Sequence, residues 1–477
     1  MIFKNSADRI RVRKTFIPTP EAHMSDLTTT PTRRTYRTRD LLTLSLPMMA
    51  SFLLEMLIGL TDAAFLGRTT EEALGAAAIS GVLFLTVLMI GIGYSTGLQA
   101  AMARANGEGL DGEVGRLFRS GVVTLLFFAV IGVLFCAFAG PSVFQLWLDN
   151  PIVARDASDY LFWRGMGLPI AFLCAALRAY FVATLRPNVL TTSAVAMVGA
   201  NMLLNYVLIF GWGPIPAMGI SGAAIASAVA EVAALAFFLR EVRRTPKARR
   251  TIWGGTDAPA DWGWDARTQK VLFVLGRWVM LQEAVAFAAW FAFFLAIEHL
   301  GAAELALSNV LRQIGGFLFL FIHALGSTAG TVSANLLGEH REGEISGVVR
   351  RGFLLSVGLT GLTVIAFSVA PRAVISIFTD LPEVVNAELG PYWMLLLSFV
   401  PGVPGMYLNF VLASVGRTKA AATVSGCSVV TYVAYIAWLT TEASTLTQYW
   451  FSDTVYYTTA GIVATVFYLR SPWRRKG

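Results

Sequence analysis

The stretch GLTDAAFLG, residues 59–67, puts a carboxylate near the end of an almost wholly apolar run from Leu41 to Leu66. A charge in such surroundings is costly unless it is paired or neutralised. Asp62 is therefore a candidate proton or cation site. Glu55, seven residues earlier, falls on nearly the same helix face two turns away. Asn201 and Asn205 lie four apart in ANMLLNYVLIFG, share a face of another apolar run, and are the expected amide partners of Asp62. Pro47, fifteen residues before Asp62, removes a backbone hydrogen bond from its run and allows a bend there. Two plainer readings stay open. Asp62 could simply cap its helix ahead of Gly67 and Arg68, and Glu55 could be a packed polar group in the interior.

A second polar set lies further along. Glu283 sits in a seventh apolar run, and Ser308, Asn309, Arg312 and Gln313 in an eighth. His323 follows Arg312 by eleven residues, on nearly the same face. Buried charges are normally paired, so a Glu283–Arg312 ion pair is expected; a static structural pair is the alternative. Glu231 is a third intramembrane carboxylate with the same ambiguity. Arg178 reads as a snorkelling residue at a cytoplasmic helix end, without a role.

These residues need elements to hold them. The chain has 477 residues, 56% hydrophobic and 14% charged, against about 25% charged in soluble domains. It reads as an integral membrane protein. Twelve apolar runs reach the roughly 20 residues needed to cross a bilayer, at about 41–66, 74–102, 117–139, 159–184, 188–210, 219–239, 271–297, 303–336, 353–370, 390–414, 419–440 and 447–469. Cys136, Cys174 and Cys427 fall inside apolar runs and read as buried thiols. With the N-terminal tail inside, the cytoplasmic segments hold 30 of the 37 Lys and Arg, and the outer loops only Arg68, Arg155, Arg164 and Arg372. That bias predicts both termini in the cytoplasm. It also assigns the net charge of +7 to cytoplasmic loops rather than to nucleic-acid binding. Residues 1–40 form a basic polar tail without a secretory signal, expected to be disordered.

The chain also resembles itself at an offset of 231 residues. Gly107-Glu108 meets Gly338-Glu339, Gly112-Glu113 meets Gly343-Glu344, Arg119 meets Arg350, and Arg186 meets Arg417. The expected fold is all-α: twelve transmembrane helices in two pseudo-symmetric six-helix bundles, related as parallel repeats about a V-shaped central cleft. The expected boundaries are a tail at 1–40, an N-lobe at 41–240, a cytoplasmic linker at 241–270, a C-lobe at 271–470 and a C-terminal tail at 471–477. The halves differ where chemistry is expected. Asp62 maps onto Phe293, Pro47 onto Trp278, Asn201 onto Tyr432 and Asn205 onto Ile436.

The stretches LPMMASFLLEMLIGLTDAAFLGR, GYSTGLQAAMARANGEG, NMLLNYVLIFG, LALSNVLRQIGGF and VPGVPGMYLNFVLASVGRTKAA resemble the multidrug and toxic compound extrusion (MATE) family, and within it the DNA-damage-inducible-type bacterial members. The likeness covers about residues 40–470. It implies a monomeric exporter in the bacterial inner membrane that ejects cationic or amphiphilic compounds in exchange for H+ or Na+, without cofactor or metal. In that pattern Asp62 is the coupling carboxylate and Pro47 the hinge. Asn201 fits the family's fifth helix, whereas Asn205 stands where members often carry Asp. Tyr160 is carried over as a further member of the cluster. Membrane lipids are the other expected partners. A lipid or lipid-linked precursor flippase of the same superfamily is the alternative function. An enzyme is not expected: the four His do not assemble a metal site, and no nucleophile–base pair is visible.

Overall fold

The computed structural model describes residues 35–66, 71–147, 150–254, 262, 265–298, 300–379, 381–441 and 444–475. The tail up to residue 34, and with it most of the predicted disordered segment, lies outside the described residues, as does Arg68. Two units are distinguished along the chain, Met1–Tyr36 and Arg37–Gly477. The helices described here belong to the second.

Long apolar segments make long helices because a backbone out of water must satisfy its own hydrogen bonds. In the first half these are α1 (Thr38–Leu66), α2 (Glu71–Gly107), α3 (Asp111–Leu134), α4 (Gly140–Trp147), α5 (Pro151–Met166), α6 (Leu168–Ala183), α7 (Asn188–Phe210) and α8 (Gly219–Arg244). A π-helical turn, Phe135–Ala139, joins α3 to α4. The short α9 (Pro246–Trp253) lies in the expected linker and packs on α3, where Arg119 donates to the carbonyls of Thr251 and Ile252 at 3.0 and 3.2 Å. The second half holds α10 (Ala266–Glu298), α11 (Ala302–Gly338), α12 (Glu342–Val369), α13 (Pro371–Ser376), α14 (Pro382–Val385), α15 (Gly390–Ser414), α16 (Thr418–Leu439) and α17 (Leu446–Leu469).

Ten of these helices or joined helices are long and apolar enough to cross a membrane, and the bent pair α5–α6 makes an eleventh. The remaining expected span corresponds to α17, 24 residues long but interrupted by Gln448, Asp453 and several hydroxyl residues. The fourth expected span is not one straight helix. It begins at Pro151, capped by the Asn150 side chain, and bends by 46° at Gly167. Gly167 ends one helix, and Pro169, lacking an N–H, suits the first turn of the next.

The repeat is visible in the element bounds. α2 and α11 are both 37 residues long, and start at 71 and 302 and end at 107 and 338, a constant offset of 231. Packing follows the same exchange: α1 lies against α7 and α11, and α10 against α16 and α2. One pair of repeated glycines has a common cause. A Cβ on Gly107 would collide with the Asn335 backbone of α11, and one on Gly338 with the Arg104 backbone of α2. Each glycine lets the other repeat's helix cross at backbone contact, and Asn106 then donates to Asn335 at 2.6 Å. The repeated arginines also share a task. Arg186 donates to Thr245 at the end of α8, and Arg417 to the Phe467 carbonyl near the end of α17, at 3.3 and 2.8 Å. Of the three free cysteines, Cys136 and Cys174 are buried, whereas Cys427 is exposed, contrary to its expected burial. An apolar run fixes which residues avoid water but not which face of a helix meets protein.

Candidate functional site

Three helices converge on Asp62, two of them through residues one helical turn apart. Asn201 and Asn205 face it from α7, Ser227 from α8, and Tyr160 and Arg164 from α5. Spacing of four residues puts both members of each pair on one face. The Asn205 amide donates to Asp62 Oδ1 at 2.5 Å, and the Ser227 hydroxyl to Oδ2 at 2.9 Å. Asn201 supports both donors: its Nδ2 bonds Ser227 at 3.0 Å, and its Oδ1 accepts from Asn205 at 3.1 Å. Asn201 and Asn205 are fully buried. Asp62 thus ties α1 to α7 and α8 through charge-assisted hydrogen bonds, the stronger kind.

A part-buried ion pair backs this network. Arg164 Nη1 meets Glu231 Oε1 at 2.7 Å, and its guanidinium lies 4.3 Å from the Phe84 ring centroid. Arg164 also hydrogen-bonds Tyr160, and its charge acts on Asp62. Arg164 is therefore not an outer-loop charge, as the sequence suggested, but a part-buried helix residue. Glu231 is its partner rather than a separate site.

Glu55 does not join Asp62. It pairs with Arg178 of α6 and accepts from Ser51 at 3.3 Å. Arg178 is accordingly a paired residue, not a snorkelling one. Pro47 lies inside the continuous α1, and its carbonyl accepts from Thr191 of α7 at 2.9 Å.

The second polar set is redistributed. Arg312 does not pair with Glu283 but with Asp453 of α17 at 3.2 Å, and it donates to the Tyr432 hydroxyl at 3.3 Å. Asn309 bonds the Leu305 carbonyl of its own helix and is exposed. His323 lies among Phe52, Phe319 and Phe410, with ring centroids 4.5, 6.0 and 4.5 Å away, and feels the charge of Arg178 rather than joining Arg312. Eleven residues along a helix align two side chains only approximately, and the 37-residue α11 spans several environments. Among the described residues, no group of three or more His, Cys, Asp or Glu is arranged to hold a metal.

Three participants escaped sequence reading: Ser227, Arg164 and Asp453. Each had a signal. Ser227 precedes Glu231 by four and Arg164 follows Tyr160 by four, the same spacing as the Asn pair, while Asp453 is a carboxylate inside an apolar run.

The MatE family model matches residues 47–207 and 279–438, once in each half. Proteins named probable multidrug resistance protein NorM are similar: the one from Neisseria meningitidis serogroup B is 28% identical over 73% of this chain and 75% of its own length. That from Deinococcus radiodurans is 29% identical over 74% and 75%. Among solved structures, a MOP superfamily transporter from Pyrococcus furiosus aligns with a TM-score of 0.81 at 17% identity, over 93% of this chain and 98% of its own. An outward-facing multidrug resistance MATE family transporter of the MOP superfamily aligns at 0.79 with 16% identity, over the same shares.

Proposed function

Because the chain belongs to the MatE family, we propose that it is a secondary active multidrug exporter, driven by inward H+ through Asp62. The observation that carries this reading is the pair of donors aimed at the two oxygens of one carboxylate, between helices of the same lobe. When Asp62 is charged, both bonds hold α1 against α7 and α8. Protonation removes the charge that strengthens them, at about 1.5–3 kcal/mol for each charged hydrogen bond. Helix α1 is then free to bend at Pro47, shrinking the N-lobe cavity and expelling its occupant. Substrate and proton exclude one another in that lobe, and the lobes 41–240 and 271–470 rock about the linker 241–270. Both termini lie on the cytoplasmic side of the bacterial inner membrane, and the monomer is the working unit.

The donor set favours H+ over Na+. A hard cation needs several oxygen lone pairs. Here the carboxylate oxygens are met by an N–H and an O–H, and the charge of Arg164 acts on the same carboxylate. Cationic and amphiphilic compounds fit as cargo for the N-lobe, where their charge would compete with the proton for Asp62. The test is efflux of a fluorescent cation from everted vesicles, driven in turn by a pH gradient and a Na+ gradient. The expected result is pH-driven efflux, abolished by Asp62→Asn while the protein remains folded. Full efflux by that variant would overturn the coupling role.

A further inference from the structure

The segment that joins the two repeats begins as a docked helix rather than a loose connector. Helix α8 ends at Arg243 and Arg244, Thr245 turns the chain out in an extended conformation, and Pro246 opens α9. Proline suits that first turn because it has no N–H to satisfy. Ala248, Thr251 and Ile252 make the buried face of α9. The helix lies against α3, where a Cβ on Gly115 would collide with the Thr251 carbonyl, and Lys247 meets Asp111 at 2.9 Å.

The opposite face is exposed and of one sign. Arg249, Arg250 and Trp253 share it, at spacings of three and four residues. Arg243 and Arg244 stand exposed just before it, at the end of α8. Trp262 lies against Trp253 with ring centroids 6.0 Å apart, and Trp253 is 45% and Trp262 40% exposed. Among the described residues, no carboxylate pairs with any of these four arginines: Asp111 is taken by Lys247, and Glu241 accepts from Thr245.

Tryptophan is enriched where a bilayer meets water, with its ring at headgroup level. The guanidinium fork matches phosphate oxygens in pairs. Helix α8 is long and apolar enough to cross a membrane and runs to Arg244, so α9 starts at headgroup depth. A zwitterionic lipid brings its own cation to the phosphate, so four arginines without a carboxylate favour a headgroup of net negative charge.

We propose that the outer face of α9, together with Arg243, Arg244 and Trp262, binds anionic phospholipid headgroups. The lipid phosphate accepts from the arginines, and the two indoles lie at the boundary of headgroups and acyl chains. Because α9 packs on α3 and α8, lipid held there ties the first repeat to one leaflet. That this leaflet is the cytoplasmic one rests on the orientation read from the charge bias. Binding itself does not, and it needs neither an ion gradient nor transport.

The test is native mass spectrometry of the purified full chain in neutral detergent, titrated with dioleoylphosphatidylglycerol or with dioleoylphosphatidylcholine, which has the same acyl chains. The first phosphatidylglycerol is expected to bind at least about tenfold more tightly than phosphatidylcholine. Arg249→Gln/Arg250→Gln is expected to weaken phosphatidylglycerol at least about fivefold and to leave phosphatidylcholine unchanged. The control is Arg277→Gln/Lys419→Gln, an exposed basic pair of the second repeat beside Trp278. It is expected to bind phosphatidylglycerol within about twofold of the parent. Parental affinity in the α9 variant, or an equal loss in the control, would overturn the proposal, the second by tracing the preference to net charge. Equal binding of the two lipids by the parent would overturn it too. So would displacement of the bound lipid by millimolar inorganic phosphate, which would make the arginines a site for a soluble anion.

Discussion

Asp62 and Phe293 occupy the same place in the two repeats, and the chemistry around them is inverted. Asp62 is a carboxylate held by an amide and a hydroxyl, with an Arg–Glu pair behind it. Phe293 is a fully buried ring that presents its face to the Arg312 guanidinium and packs against Trp450 at 5.4 Å. The next equivalent pair behaves alike. Asn201 belongs to the Asp62 network, and Tyr432 to the Arg312 network. Duplication thus kept two sets of helices while substitution at matching positions gave one repeat a carboxylate–amide network and the other an arginine–aromatic network. The lesson is that helix placement and site polarity are separable: packing constrains small residues at crossings, and the cavity-facing positions between them are free to change sign.

The sharpest way to break this comparison is to unbalance each ion pair. Arg164→Met leaves Glu231 buried without its cation, and Arg312→Met does the same to Asp453. Each is expected to cost about 3–5 kcal/mol, read as a lower unfolding temperature in detergent. Arg164→Met/Glu231→Leu should recover most of that loss, because a matched apolar pair leaves no buried charge. Single variants as stable as the parent would mean that water reaches both pairs and that neither lobe is organised around them.

Asn205→Asp sharpens the comparison at the Asp62 end. It replaces a donor with a second carboxylate at the hydrogen-bonding distance of 2.5 Å. Two adjacent carboxylates repel unless a cation joins them. This variant is expected to gain stabilisation by Na+ on the order of 1 kcal/mol, seen as a Na+-dependent rise in unfolding temperature absent from the parent. No Na+ response in the variant would show that the surrounding donors, rather than the missing carboxylate, exclude the ion.

The smallest effect lies outside both clusters and serves as their control. Asp265 caps the start of α10, accepting from the Arg267 and Thr268 backbone N–H groups at 3.1 and 3.2 Å and from the Thr268 hydroxyl. The hydroxyl bond, first among these, holds its carboxyl below the usual carboxylate value. The cap's contribution is therefore complete above the unfolded value and fades as pH falls through the lower folded one. Asp265→Ala is expected to cost about 1 kcal/mol at neutral pH and less in acid, with transport unchanged.

Much of this was legible in the residues. Apolar runs longer than a bilayer leave the backbone no stable choice but helix, so the order of the long helices followed from run length, whereas the bend at Gly167 and the short helices α4, α9, α13 and α14 did not. The repeat of 231 was legible in part because the crossing of α2 and α11 tolerates only glycine at 107 and 338, whereas the recurring Gly112 and Gly343 meet no neighbour. Asp62, Asn201 and Asn205 could be singled out because polar groups within apolar runs are expensive and therefore rare. Their partners were another matter. Sequence gives the face of one helix but not which neighbour that face meets, so Glu55 looked like a companion of Asp62 until α6 brought Arg178 to it. Glu283 looked like the counterion of Arg312 until α17 supplied Asp453, and Arg164 looked like a loop charge until α5 carried it inward. The sequence by itself determined the spans, the duplication and the costly residues, because each is a local or periodic property of the chain. Only the tertiary structure decided the pairing of charges and the make-up of each network, because an ion pair between helices depends on their relative rotation, which no spacing along one helix records.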